Sequence, residues 1–171
     1  MGTIGSRAVQ QSFNDLVVDP DGSLRRDLVH VGGQPESHVA LPLRLLETST
    51  GESLRGAIES GQWNLAWLHP HAGGYSKLDA SGYQQMLPFH RPGSFPTWSL
   101  CDLLDGKIAN AELNGRIVLV GSTAPSLRDT FHTPFTRFHS GQQLAEMPGE
   151  EIHAHRLAAL IKAQPGASAG I

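Results

Sequence analysis

Apolar positions along this chain fall into short groups separated by turn residues, and the period within each group predicts its element. The densest group is Ile117–Val120, a continuous apolar run rich in β-branched residues and halted by Gly121. A run that short and that apolar predicts a buried strand. It delivers a small polar turn, Ser122-Thr123-Ala124-Pro125, followed by Asp129, His132 and Thr133-Pro134. Upstream, Asp19-Pro20-Asp21-Gly22 is a turn signal: proline presets the first central dihedral, aspartate caps it, and glycine accepts positive φ. Alternation on either side predicts a β-hairpin, Asp15–Val18 and Ser23–Val31.

Apolar residues at Val39, Leu41, Leu43, Leu45 and Leu46, with Pro42 tolerable in a first turn, predict a helix over 38–48. Leu54 and Ile58 predict a second short helix over 52–60, ended by Gly61. Asn64–Leu68 and Tyr83–Phe89 read as strands, with a Gly/His-rich loop over 69–79 between them. Thr97 is the expected N-cap of a helix carrying Trp98, Cys101, Leu103 and Leu104 and closed by Gly106. Ala109–Leu113 is a further short turn, 135–146 a polar loop, and Pro148-Gly149 another turn. Glu150–Ala163 is the clearest helix, with acids in its first turn and Ile152, Leu157, Leu160 and Ile161 recurring behind them. Interleaved strands and helices predict an α/β or α+β fold, layered, with one mixed β-sheet flanked by helices. The pattern divides the chain into a polar N-terminal segment (1–14) expected to be partly disordered, one domain (15–163), and a flexible tail (164–171).

Composition narrows the class. The chain has 171 residues, 39% hydrophobic and 17% charged, with a formal net charge of −3. That balance, with no basic run, argues against a nucleic-acid partner. No apolar run approaches the roughly 20 residues of a transmembrane helix, and the first residues lack the basic and apolar regions of a signal peptide. The single cysteine, Cys101, falls in an apolar pattern and is expected to be a small buried hydrophobe.

Candidate chemistry centres on the turn after Ile117–Val120. Backbone N–H groups of a small-residue turn such as Gly121–Pro125 can cradle an anion, and Asp129 can orient a ligand or pair with Arg128 or Arg25. No G-x-G-x-x-G or P-loop pattern accompanies it. Ser122 lacks the G-x-S-x-G elbow of a hydrolase nucleophile. Nine histidines raise a metal reading through His69-x-His71, Asp129-x-x-His132 and His153-x-His155. Positions two apart on a helix face different ways, so the last pair is a poor chelate. No catalytic residue, metal or cofactor is assigned on these grounds. A small α/β hydrolase-like or metal-binding domain using the Gly121–Asp129 turn remains the alternative reading.

Four elements, in order, resemble the CHASE2 sensor-domain family. Asp19-Pro20-Asp21-Gly22-Ser23-Leu24-Arg25-Arg26 is similar to its D-x-DG-x-x-RR element, and Gly115–Pro125 to its GKIVLIGSTA strand and turn. Asp129, Thr133-Pro134 and Met147–Ala154 resemble its D…TP…MPGVEIHA continuation, and the Tyr83–Arg91 strand, Phe95 and the Leu100–Gly106 helix resemble the section between. The resemblance runs from about Val17 to Ile161. It lacks the I-x-I-D strand and W-P-x-R element that usually open the family domain, which implies an unprotected sheet edge and a homodimer.

The resemblance implies a non-catalytic extracytoplasmic (periplasmic or extracellular) sensory domain. Its receptor would be a bacterial membrane protein with a histidine kinase, nucleotide cyclase or protein kinase output. It also implies a small-molecule stimulus, membrane anchoring of the whole receptor, and Gly121, Ser122, Thr123, Asp129, Thr133 and His153 as ligand-contact candidates.

Overall fold

A computed structural model describes residues 12–32, 39–91, 93–136 and 146–167. The expectations for the first residues, most of the 135–146 loop and the end of the tail lie outside them. The Asp19–Gly22 turn forms as its residues require: Asp19 N–H donates to the Ser23 carbonyl at 2.9 Å, and Gly22 N–H to the Asp19 carbonyl at 2.8 Å. It joins β1 (Val17–Val18) to β2 (Leu24–His30). β3 (Tyr83–Met86) adds on the other side of β2, completing an antiparallel three-stranded sheet of order β1-β2-β3. Asp27 stands opposite Gln85 and Arg26 opposite Met86.

α1 (Leu41–Thr50) has Pro42 in its first turn and stops at Gly51, whose N–H donates to the Glu47 carbonyl. α2 (Arg55–Glu59) follows at once; its entrance is held by the buried Glu47 carboxylate, which accepts from Leu54 N–H at 2.9 Å. α3 (Leu100–Leu104) and α4 (Asn110–Leu113) bury no side chain completely. β4 (Thr130–Phe131) pairs antiparallel with β5 (Met147–Pro148), a second small sheet that the sequence pattern did not signal. α5 (Gly149–Ala163) starts directly from β5.

α5 organises the interior. It packs against α1. Leu157, Leu160 and Ala163 join Val29, Leu43 and Ile58 in one apolar cluster, while Ile152 and Ala159 join Leu24, Leu87 and Met147 in another. One helix thus closes two cores, which is why nine of its fifteen residues are buried.

The α+β content is as the pattern predicts, but the sheet is not single and mixed: two small antiparallel sheets stand in its place. Ile117–Val120 forms no strand; Val118 and Val120 point to solvent, Val120 at 73% exposure, and Ile117 packs on the first core. A strand needs a hydrogen-bonded neighbour, and periodicity reports side chains only. The expected strand over 64–68 is reduced to one bridge between Trp67 and Gln85. Ser99, not Thr97, caps α3, accepting from Asp102 N–H at 3.0 Å. Five residues of helix offer too little surface to bury a face, so Leu104 is 78% exposed, and Cys101 is exposed rather than buried. Pro148-Gly149 is the junction of β5 and α5 and not a free turn.

Candidate functional site

The turn after Val120 lies against the first residues of α5. A Cβ on Gly121 would fall 2.7 Å from Glu150 Cβ and Oε2, so only glycine fits there. A Cβ on Gly149 would fall 2.6 Å from Asp129 Oδ1, and Gly149 N–H donates to the Asp129 carbonyl at 3.0 Å. The two glycines let a loop and a helix start approach closely at two points. Ser122 Oγ accepts from Ala124 N–H at 3.3 Å and shapes the turn locally. Thr123 is exposed, and Thr133 is buried, its N–H donating to Thr136 Oγ1 at 3.0 Å. Gly121, Asp129 and the α5 entrance therefore come together, a meeting that no spacing in the sequence signals. Asp129 pairs with no Arg25: that guanidinium holds Asp19 at 2.9 Å and Asp21 at 2.7 Å.

Charge decides what this turn suits. The positive end of α5 already faces Asp129, Glu150 and Glu151, so an anion gains little there. Glu150 Oε2 is buried beside Gly121 and has no hydrogen-bond partner among the described residues. A buried carboxylate oxygen without a partner is costly and is satisfied by a donor. The site favours a cationic or neutral donor group over a phosphate.

His153 lies elsewhere, in a buried network that no spacing pattern signals. Arg156 Nε donates to Asp27 Oδ1 at 2.5 Å, Nη2 to the Leu28 carbonyl at 2.9 Å, and Nη1 to His153 Nδ1 at 3.2 Å. Asp27 Oδ2 also accepts from Gln85 at 3.3 Å. Burial, with the Arg156 charge adding to it, pushes the His153 imidazole down to about 4. The hairpin carries a second network: Asp19 accepts from Arg25, Arg26 and Tyr75, and Arg26 also reaches Gln84 at 2.7 Å. Burial raises the Asp19 pKa, but hydrogen bonds from Tyr75, Arg25 and Arg26 outweigh it and hold the carboxyl below its ordinary value. The Asp-Pro-Asp-Gly…Arg-Arg motif is accordingly an ion-pair clasp.

The histidine pairs separate. His69 and His71 sit on an exposed turn. His132 Nε2 lies 3.3 Å from Glu146, which also accepts from Thr130 Oγ1, while Asp129 packs on Gly149. His153 faces Arg156, whereas His155 faces His90, Phe89 and Phe95. Among the described residues no group of three His, Cys, Asp or Glu side chains is placed to hold a metal ion, and no helix is long and apolar enough to cross a membrane.

A hairpin clasp, a glycine-lined turn on a helix entrance and a helix closing two cores describe an α+β domain with a loop poised on its last helix. The CHASE2 domain family model matches residues 4–169, extending the resemblance in both directions, and the chain belongs to that family. CHASE2 domains are extracytoplasmic sensory domains. No curated protein and no solved structure matches the chain.

Proposed function

We propose that this domain is the non-catalytic input of a bacterial transmembrane receptor with a kinase or cyclase output, and that it senses a small cationic or neutral molecule at the Gly121–Thr133 turn. Gly121, Ser122, Thr123 and Asp129 form the contact surface in this reading; Thr133 is buried and holds the end of the segment through Thr136. The observation that carries it is the buried, unpartnered Glu150 Oε2 directly behind Gly121. A ligand N–H would satisfy that oxygen and draw on the start of α5. Because α5 is the last element before the tail, a shift at its entrance would pass toward a following membrane helix. The reading includes a membrane-attached homodimer, which sedimentation of the domain tests for its dimer part.

The test is a thermal-shift screen against amines, amides and sugars, repeated on Glu150→Ala. A ligand that raises the wild-type Tm and loses that effect in the variant supports the site. A ligand that stabilises both equally binds elsewhere, and the proposed site fails.

A further inference from the structure

The segment leaving β3 is fastened to α5 at two points one helical turn apart. His90 N–H donates to Nδ1 of His155 at 3.2 Å, and Gly93 N–H donates to Oε1 of Glu151 at 3.1 Å. The first bond defines the imidazole: Nδ1 offers the lone pair, so the proton of the neutral ring is on Nε2. Nε2 has no partner among the described residues and stands 4.0 Å from Glu151 Oε1. The ring is completely buried. Phe95 meets it edge-on at 4.9 Å, Phe89 lies at 5.3 Å, and the His90 imidazole lies nearly parallel at 5.8 Å.

We propose that the His155–His90 contact is a proton-operated latch that holds the segment around His90 and Gly93 on α5 and releases it when His155 is protonated. The chemistry follows from the hydrogen bond. A second proton on His155 goes to Nδ1, the one nitrogen that accepts. Two N–H groups then face each other, and the His90 bond is lost. The new imidazolium draws Glu151 toward Nε2, away from Gly93 N–H, so the second fastening weakens with the first. Among the described residues, the titratable groups facing His155 are His90 from the segment and Glu151 from α5 itself. His90, once charged, repels the imidazolium across the stack, while Arg156 is committed to Asp27 and Leu28 on β2. Burial first, and then the neighbouring His90, push the His155 imidazole down to about 4, so the latch is shut at neutral pH and opens under acid. This input is separate from the Gly121–Thr133 turn, and either can fail without the other.

Amide hydrogen exchange on the 171-residue chain, read as protection factors at a series of pH values from 7 to 4, tests the latch. The His90 and Gly93 amides should lose protection by about tenfold per pH unit as the pH falls toward the His155 midpoint, while the β2–β3 ladder amides of Asp27 and Gln85 stay protected. The His155 ring shifts, followed by NMR in the same samples, should give the same midpoint. His155→Gln, whose amide oxygen accepts without titrating, should keep His90 protected at acid pH. Protection at His90 that is independent of pH in the wild type overturns the proposal. So does a loss at a midpoint different from that of His155, or one that coincides with loss across the β2–β3 ladder.

Discussion

Asp27 and Arg156 lie 129 residues apart in the chain and meet at 2.5 Å, each side chain 1% exposed. This pair ties the central strand β2 to α5, between the two apolar clusters that the helix closes. Removing one partner leaves the other charged and dry. Asp27→Ala or Arg156→Met should therefore cost about 3–5 kcal/mol, whereas replacing both with apolar side chains should recover much of the loss. Urea denaturation of the two single variants and the double variant measures the coupling.

Gly149 and Asp129 make a second pair that can be tested by exchange. Gly149→Ala drives a methyl group to 2.6 Å from the Asp129 carboxylate, and overpacking of this kind costs about 1–3 kcal/mol. In an Asp129→Ala background the obstruction is gone. There the same change should be neutral or stabilising, because alanine is the better helix former. A Gly149→Ala penalty of equal size in both backgrounds would show that the carboxylate is not the obstacle.

Stability should fall in mild acid. Burial pushes His153 and His155 down to about 4 from an ordinary 6.5. Between those values the unfolded chain binds protons that the folded chain refuses. Stability is therefore complete above about pH 6.5, declines as the pH falls toward 4, and levels off below, by about 3 kcal/mol per histidine at most. Asp19 adds a loss at still lower pH, since its carboxyl is held below 3.8. Denaturation midpoints between pH 7.5 and 4 should show the decline, and His155→Gln should flatten its share.

Val120→Thr should change stability by no more than about 0.5 kcal/mol, because that side chain is 73% exposed and surface changes of this kind are small. Leu24→Ala, in a fully buried position of β2, should cost about 2–5 kcal/mol. A loss at Val120 as large as that at Leu24 would mean that the segment is buried in solution.

Local signals were legible wherever the physics is local. The Asp19–Gly22 turn, α1 with its early proline and terminal Gly51, the Gly61 stop and the long α5 all depend on neighbours within a few residues. Ile117–Val120 was misread because its apolar run speaks to burial and not to pairing. Cys101 was misread because helical spacing says nothing about whether a partner surface is present. The β4–β5 pair is too short to have a period at all. The meeting of Gly121 with Glu150 could be anticipated only as two glycine-marked stretches, with no sign that they touch.

Sequence alone determined the local elements, the hairpin clasp motif and membership of a sensory family, since turn chemistry, helix period and ordered motifs are all carried by residues near one another. Tertiary structure decided the rest: that α5 closes two cores, that Arg156 finds Asp27, and which groups meet His153 and His155 on the two faces that helix period assigns them. Those contacts join residues scores of positions apart. Their energies come from burial and from exclusion of water, which exist only once the chain has closed on itself.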